Sequence, residues 1–428
     1  MTGDWKPTAS TETLRLRAGV LSTIRGFFAD RGVLEVETPL LASAPVTDPH
    51  LAALSTRYRG PGHDGGRRLW LQTSPEFAMK RLVAAGSGPI FQICKAFRNG
   101  EAGSRHNPEF TMLEWYRPGW DHHRLMDEVA ELLEAVLETD GHRDKNGDQR
   151  QGQRQQSGAA AGAEGSGSEE YATPVGCQPD LARTRCLASN FVRREQSCVP
   201  GSAPIASQRA WTRVPGIPSH RRERTEKLTY ADVFQHHVGV DPHKVPTGEL
   251  AATARSLIGS SVADLGDDRD GWLDLLLSHV IEPELGRGGP TFVYDYPVTQ
   301  AALARIRPGD PPVAERFEVW LEGVELANGY HELTDPDEQR RRFDADLAAR
   351  RERGGAEVPV DHRLLAALEH GLPECAGVAL GVDRLVMLAA GADRIDVVIA
   401  FPIDRALLLS RARFRDRGRS SGRSSGRS

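Results

Sequence analysis

The middle of the chain lacks any pattern of buried structure, and this interruption limits what the rest can form. From residue 140 to 226 the composition is largely Gly, Gln, Arg, Ser and Ala, then scattered Pro, Arg and Cys, with no sustained helical or strand period. Such a composition predicts disorder. An Arg/Ser/Gly-rich tail, 405–428, also looks foreign to a core. Of the 428 residues, segments 1–139 and 227–404 remain, which suits one large catalytic domain built from two parts.

The two patterned segments alternate helices with short strands. One-sided apolar patterns predict a helix from Leu14 to Phe28, which Gly32 ends, and a second amphipathic helix from Leu125 to Leu137. Strand-like runs recur at 34–37, 69–72, 90–94, 111–116, 291–294, 317–321 and 397–401. This succession predicts an α+β fold in which helices flank a mixed, mostly antiparallel sheet.

Charge and cysteine content restrict the partners and the compartment. The formal net charge is −5, and the arginine-rich tail makes the remainder more acidic still, which argues against broad binding to a polyanion such as tRNA. The five cysteines form no CxxC pair and no zinc-type Cys/His spacing, which indicates reduced thiols and a cytoplasmic protein. No apolar run approaches the roughly 20 residues of a membrane span, so no membrane partner is expected.

Two distant segments carry residue types that can hold a nucleoside triphosphate. They are Phe97-Arg98-Asn99-Gly100-Glu101 with Arg105-His106-Asn107-Pro108-Glu109-Phe110, and Gly377-Val378-Ala379-Leu380-Gly381-Val382-Asp383-Arg384. A guanidinium fork pairs two phosphate oxygens and stabilises the charge that grows during in-line attack, while an aromatic ring is a platform for adenine. Each residue alone has an ordinary structural explanation. Their combination favours an ATP site with Arg98 and Arg384 as its catalytic residues.

With Arg31-Gly32 and Thr38-Pro39, these segments resemble motifs 1, 2 and 3 of the class II aminoacyl-tRNA synthetases. The resemblance implies that Arg98 binds the α-phosphate and Arg384 the γ-phosphate, with adenine between Phe110 and the Arg384 guanidinium. The further ATP-binding residues expected are Asn99, Gly100, Glu101, His106, Asn107, Glu325, Leu326 and Gly381. Gly100 stands where the family has glutamate, so Glu101 is expected to replace that adenine contact.

Two carboxylates, Glu325 and Glu332, lie seven residues apart in a segment of otherwise mostly apolar or small residues. Buried acids need a cation. By position, Glu325 resembles the family's ligand of magnesium and ATP, so Mg²⁺ is the expected cofactor, bridging phosphate oxygens. A solvent-facing acidic turn is the alternative explanation of this pair.

Recognition of a diamino acid requires acceptors for two ammonium groups. Within the family's pattern, Glu76 in Ser74-Pro75-Glu76 resembles the contact to the amino group nearer the carboxylate. Glu114 and Tyr116 lie two residues apart, so in a strand both project from one face, and with Glu332 they are expected to surround the distal ammonium. Lysine or a lysine isomer is the expected substrate, since a site of hydrogen-bond acceptors rejects analogues without the amine.

The resemblance narrows within the lysine branch. Only about thirty residues precede Gly32, too few for the anticodon-binding barrel of lysyl-tRNA synthetases, and Ala379 stands where those enzymes usually have glycine. The chain is similar to the elongation factor P lysine ligase family over roughly residues 5–139 and 228–406. That family implies ATP-dependent adenylation of (R)-β-lysine and transfer to a lysine side chain of elongation factor P. Ala379 is then expected to reshape the pocket floor for the displaced amino group.

Two other interpretations stay open at the level of sequence. One is a truncated lysyl-tRNA synthetase that charges tRNA through its catalytic domain alone, and the other is an inactive paralogue that binds lysine or ATP. Motif 1 forms the dimer interface of class II enzymes, so the region Leu14–Leu41 is expected to pair with its own copy in a homodimer. Ordinary core packing of that helix is the alternative.

Overall fold

The computed structural model describes residues 5–137 and 225–406. The predicted insert, 140–226, lies outside the described residues except for its last two positions, and the tail, 405–428, except for its first two. The boundaries predicted for these segments therefore stay predictions.

The first helix and the turn after it follow the sequence pattern. Helix α1 (Thr11–Ala29) begins after Ser10, whose side chain accepts a hydrogen bond from the Thr13 backbone N–H at 3.0 Å. Gly32, at φ +64°, takes a conformation that favours glycine and turns the chain into strand β1 (Leu34–Glu35). The helix predicted over Leu14–Phe28 is confirmed.

Nine strands of the described chain form one sheet. They are β1, β5 (Ile90–Phe97), β6 (Glu109–Pro118), β7 (Glu226–Thr229), β8 (Thr291–Pro297), β9 (Ile306–Arg307), β10 (Val313–Leu321), β11 (Val324–His331) and β12 (Cys375–Gly381). The strand order is β1-β5-β6-β12-β11-β10-β8-β7, with β9 paired to β10. Only the β1–β5 and β7–β8 pairs are parallel among these described strands, so the predicted mixed, mostly antiparallel sheet is confirmed.

A smaller sheet and the remaining helices surround this large sheet. The small sheet has the order β2 (Leu41–Ala42), β4 (Arg67–Leu71) and β3 (Ser55–Tyr58). The helices are α2 (Glu76–Ala84), α3 (His122–Leu137), α4 (Tyr230–His237), α5 (Thr247–Ile258), α6 (Arg269–Leu276), α7 (Pro336–Glu352), α8 (His362–Gly371), α9 (Val382–Ala389) and α10 (Ile403–Ala406). One apolar core joins α1, α3 and α9 to the sheet, a second joins α4, α5 and α6 to β8 and β10, and a third lies around α2 and α8.

The strand predicted over Val397–Phe401 is wrong. Residues Ile395–Val397 form a short 3₁₀ helix, and Val398 is fully buried in the core next to α9. Val397 and Phe401 are exposed, and the Ala400 carbonyl accepts a hydrogen bond from the Thr8 backbone N–H at 2.8 Å, so the run is an irregular segment with one buried residue. A short apolar run does not by itself distinguish a strand from an irregular segment.

A bulge in the β10–β11 pair places Glu325 correctly for the cleft. Val319 pairs with Ala327 and Trp320 pairs with Glu325, so Leu326 is an extra residue in β11. The extra residue breaks the alternation of faces. Glu325 and Glu332, an odd number of residues apart, consequently both line the same cleft, and the solvent-facing turn that was the alternative explanation of this pair is absent.

Candidate active site

The two distant motif segments meet in one cleft with a volume of about 910 Å³. Its walls come from strands β6, β10, β11 and β12 together with the N-terminal end of α2. The predicted residues that line it are Ser74, Glu76, Arg98, Glu101, His106, Asn107, Phe110, Glu114, Tyr116, Glu325, Leu326, Glu332, Ala379, Gly381 and Arg384. Three predicted residues do not line the cleft: Pro75, Asn99 and Gly100. Pro75 is the N-cap residue of α2, and Gly100 turns the chain at φ +86°.

Arg384 joins the two motif segments directly. Its Nη1 donates to the backbone oxygen of Glu325 at 2.8 Å and to the carboxylate of Glu325 at 3.2 Å, while its Nη2 lies 2.6 Å from Nε2 of His106. Burial and the positive charge of Arg384 lower the pKa of His106, so a neutral imidazole accepts this hydrogen bond. Arg384 is therefore held in place before any phosphate binds.

Arg98 lies at the end of β5, beside the aromatic platform. Its guanidinium carbon is 5.2 Å from the centroid of the Phe110 ring, and its Nη1 is 3.8 Å from the carboxylate of Glu101. The buried Nε of Arg98 has no hydrogen-bond partner within the described chain. The chain turns at Gly100, and Glu101 lines the cleft. This placement is compatible with the prediction that Glu101 replaces the glutamate that the family has at position 100. The roles predicted for these residues toward ATP stay predictions.

Asn107 has a structural role that the sequence did not indicate. Its Nδ2 donates to the Glu109 carbonyl at 2.5 Å, and its Oδ1 accepts from the Ile403 backbone N–H at 2.9 Å. Both ends of the amide are therefore used to hold the start of β6 and the start of α10. The predicted contact of Asn107 with ATP would therefore have to replace or share one of these two hydrogen bonds.

The opposite end of the cleft is an acidic pocket formed by Glu76, Glu114 and Glu332. Glu114 accepts hydrogen bonds from Ser74 Oγ at 2.6 Å and from the Tyr116 hydroxyl at 2.7 Å. Ser74 Oγ also accepts from the Glu76 backbone N–H at 3.0 Å, at the first turn of α2. Burial, together with the negative charge of Glu76, raises the pKa of Glu114 to about 7. Glu114 and Tyr116 both lie on β6, and their hydrogen bond joins two side chains that were predicted to share one strand face.

Lys80 is the central member of this pocket that sequence reasoning missed. Its ammonium group is buried and lies 2.5 Å from Glu76 Oε1 and 2.6 Å from Glu332 Oε2. Burial lowers the pKa of Lys80, but the charges of Glu332 and Glu76 outweigh it and raise the pKa, so Lys80 is a cation. Burial raises the pKa of Glu332 to about 8. Three carboxylates around one ammonium group leave negative charge for a ligand with ammonium groups.

A second group of oxygen donors lies beside Glu325. Glu318 on β10 accepts hydrogen bonds from the Tyr296 hydroxyl at 2.8 Å and from Asn328 Nδ2 at 2.9 Å, and it also pairs with Arg316. Burial and the charges of Glu325 and Glu318 raise the pKa of Glu282 to about 7. The buried Oδ1 of Asn328 has no hydrogen-bond partner among the described residues. The donors here are carboxylate and amide oxygens, which are the ligands that Mg²⁺ prefers.

Comparison with known proteins agrees with this geometry. The sequence model of the tRNA synthetases class II (D, K and N) matches residues 4–405. The elongation factor P–(R)-β-lysine ligase of Klebsiella pneumoniae subsp. pneumoniae is 45% identical over 405 residues, which cover 95% of this chain and 99% of that protein. The protein of the same name from Salmonella arizonae is 44% identical with the same coverage. The chain belongs to the elongation factor P–(R)-β-lysine ligase family. The resemblance predicted from the motifs is confirmed, and so is the class II fold.

Several residues that were not predicted from the motifs also support the cleft. Asp383 accepts from Arg17 at 2.5 Å and from the Thr111 backbone N–H at 2.6 Å, which fixes the start of α9 and hence Arg384. Lys80 and Glu318 had weak sequence signals: Lys80 lies four residues after Glu76 on a helix, and Glu318 lies seven before Glu325.

Within the described residues, no helix is both long and apolar enough to cross a membrane.

Proposed function

We propose that this chain uses ATP to adenylate (R)-β-lysine and then transfers the β-lysyl group to a lysine side chain of elongation factor P. The observation that carries the proposal is the single cleft, which has two arginines, Arg98 and Arg384, at one end and the acidic pocket at the other. A carboxylate between these ends would lie where an ATP α-phosphate meets an amino acid. The names of the relatives supply the substrate and the acceptor.

The first step is attack of a β-lysine carboxylate oxygen on the α-phosphorus of ATP. The new oxygen–phosphorus bond forms as the bond between the α-phosphorus and the bridging oxygen to the β-phosphate breaks, and pyrophosphate leaves. Arg98 is assigned to the α-phosphate oxygens, whose charge grows in this step, and Arg384 to the γ-phosphate. The nucleophile is the carboxylate of the substrate itself, so the protein only has to position the two reactants and no side chain acts as a nucleophile.

The second step is attack of the neutral amine of the acceptor lysine on the activated carbonyl carbon. An amide bond forms, the acyl–oxygen bond to AMP breaks, and the amine loses a proton. The partly exposed side of the cleft, where Glu325 is 40% exposed, gives a lysine side chain of another protein an approach to the adenylate.

Recognition of β-lysine is assigned to the acidic pocket. Glu76 is proposed to bind the amino group nearer the carboxylate, and Glu114 and Glu332 the distal ammonium. Ala379 lines the cleft opposite Glu114 in the β6–β12 pair. We expect Ala379→Gly to shift the ratio of kcat/KM values toward α-lysine, and an unchanged ratio would contradict this role.

Magnesium is proposed as the cofactor at the oxygen donors Glu325 and Glu318. The unpartnered Asn328 Oδ1 and the raised pKa of Glu282 both fit a site that binds a hard cation. When bound, Mg²⁺ supplies charge neutralisation to the phosphate oxygens. The residues of this chain hold the acidic side chains in place, through Tyr296 and Arg316.

A homodimer is proposed through the motif 1 region. Leu34 is 55% exposed, Leu40 39% and Leu41 44%, which is a run of apolar side chains close to one another in the chain. A two-fold pairing of this region would cover them. Light scattering should give twice the chain mass for the wild type and a lower mass for Leu41→Asp. A cytoplasmic location and the absence of tRNA as a partner also belong to this proposal.

Transfer of label to the acceptor tests the proposed reaction. The purified protein is incubated with ATP, Mg²⁺ and labelled (R)-β-lysine or lysine, and elongation factor P or tRNA is then added. We expect label on elongation factor P, and none on a variant whose acceptor lysine is replaced by arginine. Label on tRNA alone would instead indicate a truncated lysyl-tRNA synthetase, and absence of both adenylation and transfer an inactive paralogue.

A further inference from the structure

A histidine cluster lies outside the cleft, at the edge of the same strands. His122 is the first residue of α3, His331 is the last residue of β11, and Glu315 lies near the start of β10. Tyr330 and Glu332, the neighbours of His331, line the cleft, whereas none of the three cluster residues does. The cluster therefore belongs to the opposite face of the sheet, and the proposed reaction does not use it.

Both ring nitrogens of His122 lack hydrogen-bond partners among the described residues, although this side chain is buried. His122 is 1% exposed, and neither Nδ1 nor Nε2 of its ring has a hydrogen-bond partner within the described chain. Nε2 of His331, which is 5% exposed, makes no hydrogen bond either, but it lies 3.2 Å from the carboxylate of the exposed Glu374. The nearest carboxylate to His122, that of Asp295, is 3.9 Å from Nε2, which is too long for a hydrogen bond. Buried polar atoms without partners are costly and rare, so an ion or a ligand that satisfies them is indicated.

The three side chains converge on one point. One ligand atom each from His122, Glu315 and His331 lies within 4.8 Å of the other two, and all three residues are buried. Around a tetrahedral metal with bonds of about 2.0–2.1 Å, neighbouring ligand atoms are about 3.3 Å apart. The widest separation in the cluster therefore needs to shorten by up to about 1.5 Å. Oε2 of Glu315 and Nδ1 of His331 are already 2.7 Å apart, so these two side chains face each other before a metal binds.

We propose that His122, His331 and Glu315 bind one transition-metal dication of the zinc type. Two imidazole nitrogens and one carboxylate are a donor set that zinc accepts in proteins, and the hard cations Mg²⁺ and Ca²⁺ do not select imidazole. Water completes the coordination. This site is distinct from the proposed magnesium site, whose donors are all oxygens.

The charges around the cluster permit a dication. Arg305 and Arg307 lie 3.8 and 3.7 Å from Glu315, and they compete with a metal for its carboxylate. Both arginine side chains are half-exposed, at 51% and 40%, so water can solvate them when Glu315 turns to the metal. Two further carboxylates, Asp295 and Glu374, lie beside the histidines and offset the arginine charges.

A metal at this point would join three separate elements through its ligands. It would connect α3 to the ends of β10 and β11, and Asp295 brings β8 to the same place. His331 directly precedes Glu332, which is a carboxylate of the acidic pocket. The role that follows is structural: the ion fixes the strand end from which Glu332 projects.

Metal titration of the full chain tests this site without ATP or amino acid. Chelator-treated wild type, His122→Leu and the control His370→Leu, an exposed histidine of α8, are titrated with Co²⁺ and with Zn²⁺. We expect the wild type and His370→Leu to bind one equivalent more than His122→Leu. The Co²⁺ bound should show visible d–d absorption typical of tetrahedral nitrogen and oxygen ligands, without the near-ultraviolet thiolate band. At a concentration about a hundredfold above its Kd, zinc should raise the Tm of the wild type by about 5 °C. The Tm of His122→Leu should not change.

Equal stoichiometry and an equal Tm shift in wild type and His122→Leu would overturn the proposal, as would a wild type that binds no Co²⁺. A wild-type spectrum dominated by thiolate charge transfer would place the ion at cysteines and would overturn it as well. If His122→Leu fails to fold, His331→Gln replaces it in the same comparison. Because leucine at position 122 removes the unpartnered nitrogens, this variant should be at least as stable as metal-free wild type.

Discussion

At the scale of single residues, burial sets the working pH of the acidic pocket. The pKa of Glu114 is raised to about 7 and that of Glu332 to about 8, in both cases chiefly by burial. A substrate ammonium group needs the ionised carboxylates, and the ammonium itself stays charged in this range. With ATP saturating, kcat/KM for the amino acid should therefore fall at least tenfold from pH 8 to pH 6.

The Glu114→Gln variant is the matched control for this pH dependence. It lacks the titrating group, so its kcat/KM should be lower than that of the wild type at pH 8, and its further fall toward pH 6 should be smaller. Identical pH profiles for the two proteins would contradict the assignment of Glu114.

Gly377 leaves the space that two pocket side chains occupy. A Cβ atom at this position would overlap with Oε1 of Glu332 and with the ring of Tyr116. Gly377→Ala should therefore displace both residues and raise KM for the amino acid at least tenfold, with a much smaller change in KM for ATP. Gly248→Ala, where a Cβ meets no atom within 4 Å, is the control and should leave both constants within about twofold. An unchanged KM in Gly377→Ala would show that the pocket does not depend on this glycine.

The residues of the cleft were predicted where a motif carries them and missed where only packing does. Arg98, Phe110 and Arg384 came from the resemblance, and the structure brings all three to one cleft. Lys80 was not predicted because its significance lies in a contact with Glu332, more than 200 residues away in the chain. A lysine on a helix usually faces solvent, and only the fold turns this one inward.

At the scale of elements, an ion pair holds α9 against α1 and β6. Asp383 is 2% exposed and pairs with Arg17, which is 17% exposed. Arg17→Met would leave the carboxylate buried without its guanidinium, so we expect a loss of about 3 kcal/mol in the free energy of unfolding. Arg25 lies on the same helix as Arg17, and Arg25→Met removes an exposed pair with Glu35 of β1, which should cost at most about 1 kcal/mol. Urea unfolding of both variants decides, and equal losses would contradict the role of the buried pair.

The periodic apolar faces of α1 and α3 predicted both helices, and strand-like runs predicted the central strands β6 and β10, whereas no strand was predicted at β12. This strand contains Gly377, which has a low β-propensity. It pairs with β6 on one side and with β11 on the other, and these two pairings stabilise it in spite of that low propensity. The bulge at Leu326 depends on register between two strands, and no sequence period reports it.

At the scale of the whole molecule, both described segments, 5–137 and 225–406, contribute residues to the cleft. Segments before and after the predicted insert meet directly: Lys227 Nζ on β7 lies 2.6 Å from Asp127 on α3. Replacement of residues 141–224 by a short Gly/Ser linker should therefore preserve folding and leave adenylation within about threefold of the wild type. Loss of adenylation by a folded variant would contradict the two-part catalytic domain.

The central claim is that Arg98 and the acidic pocket act on one ATP and one β-lysine in a shared cleft. The most direct test is ATP–pyrophosphate exchange that depends on (R)-β-lysine, measured for wild type, Arg98→Ala and the surface control Arg25→Met. We predict exchange in the wild type and the control, and a rate at least about 100-fold lower in Arg98→Ala, because the charge on the α-phosphate loses its partner. Absence of exchange in the wild type with β-lysine or lysine, or an undiminished rate in Arg98→Ala, would contradict the account.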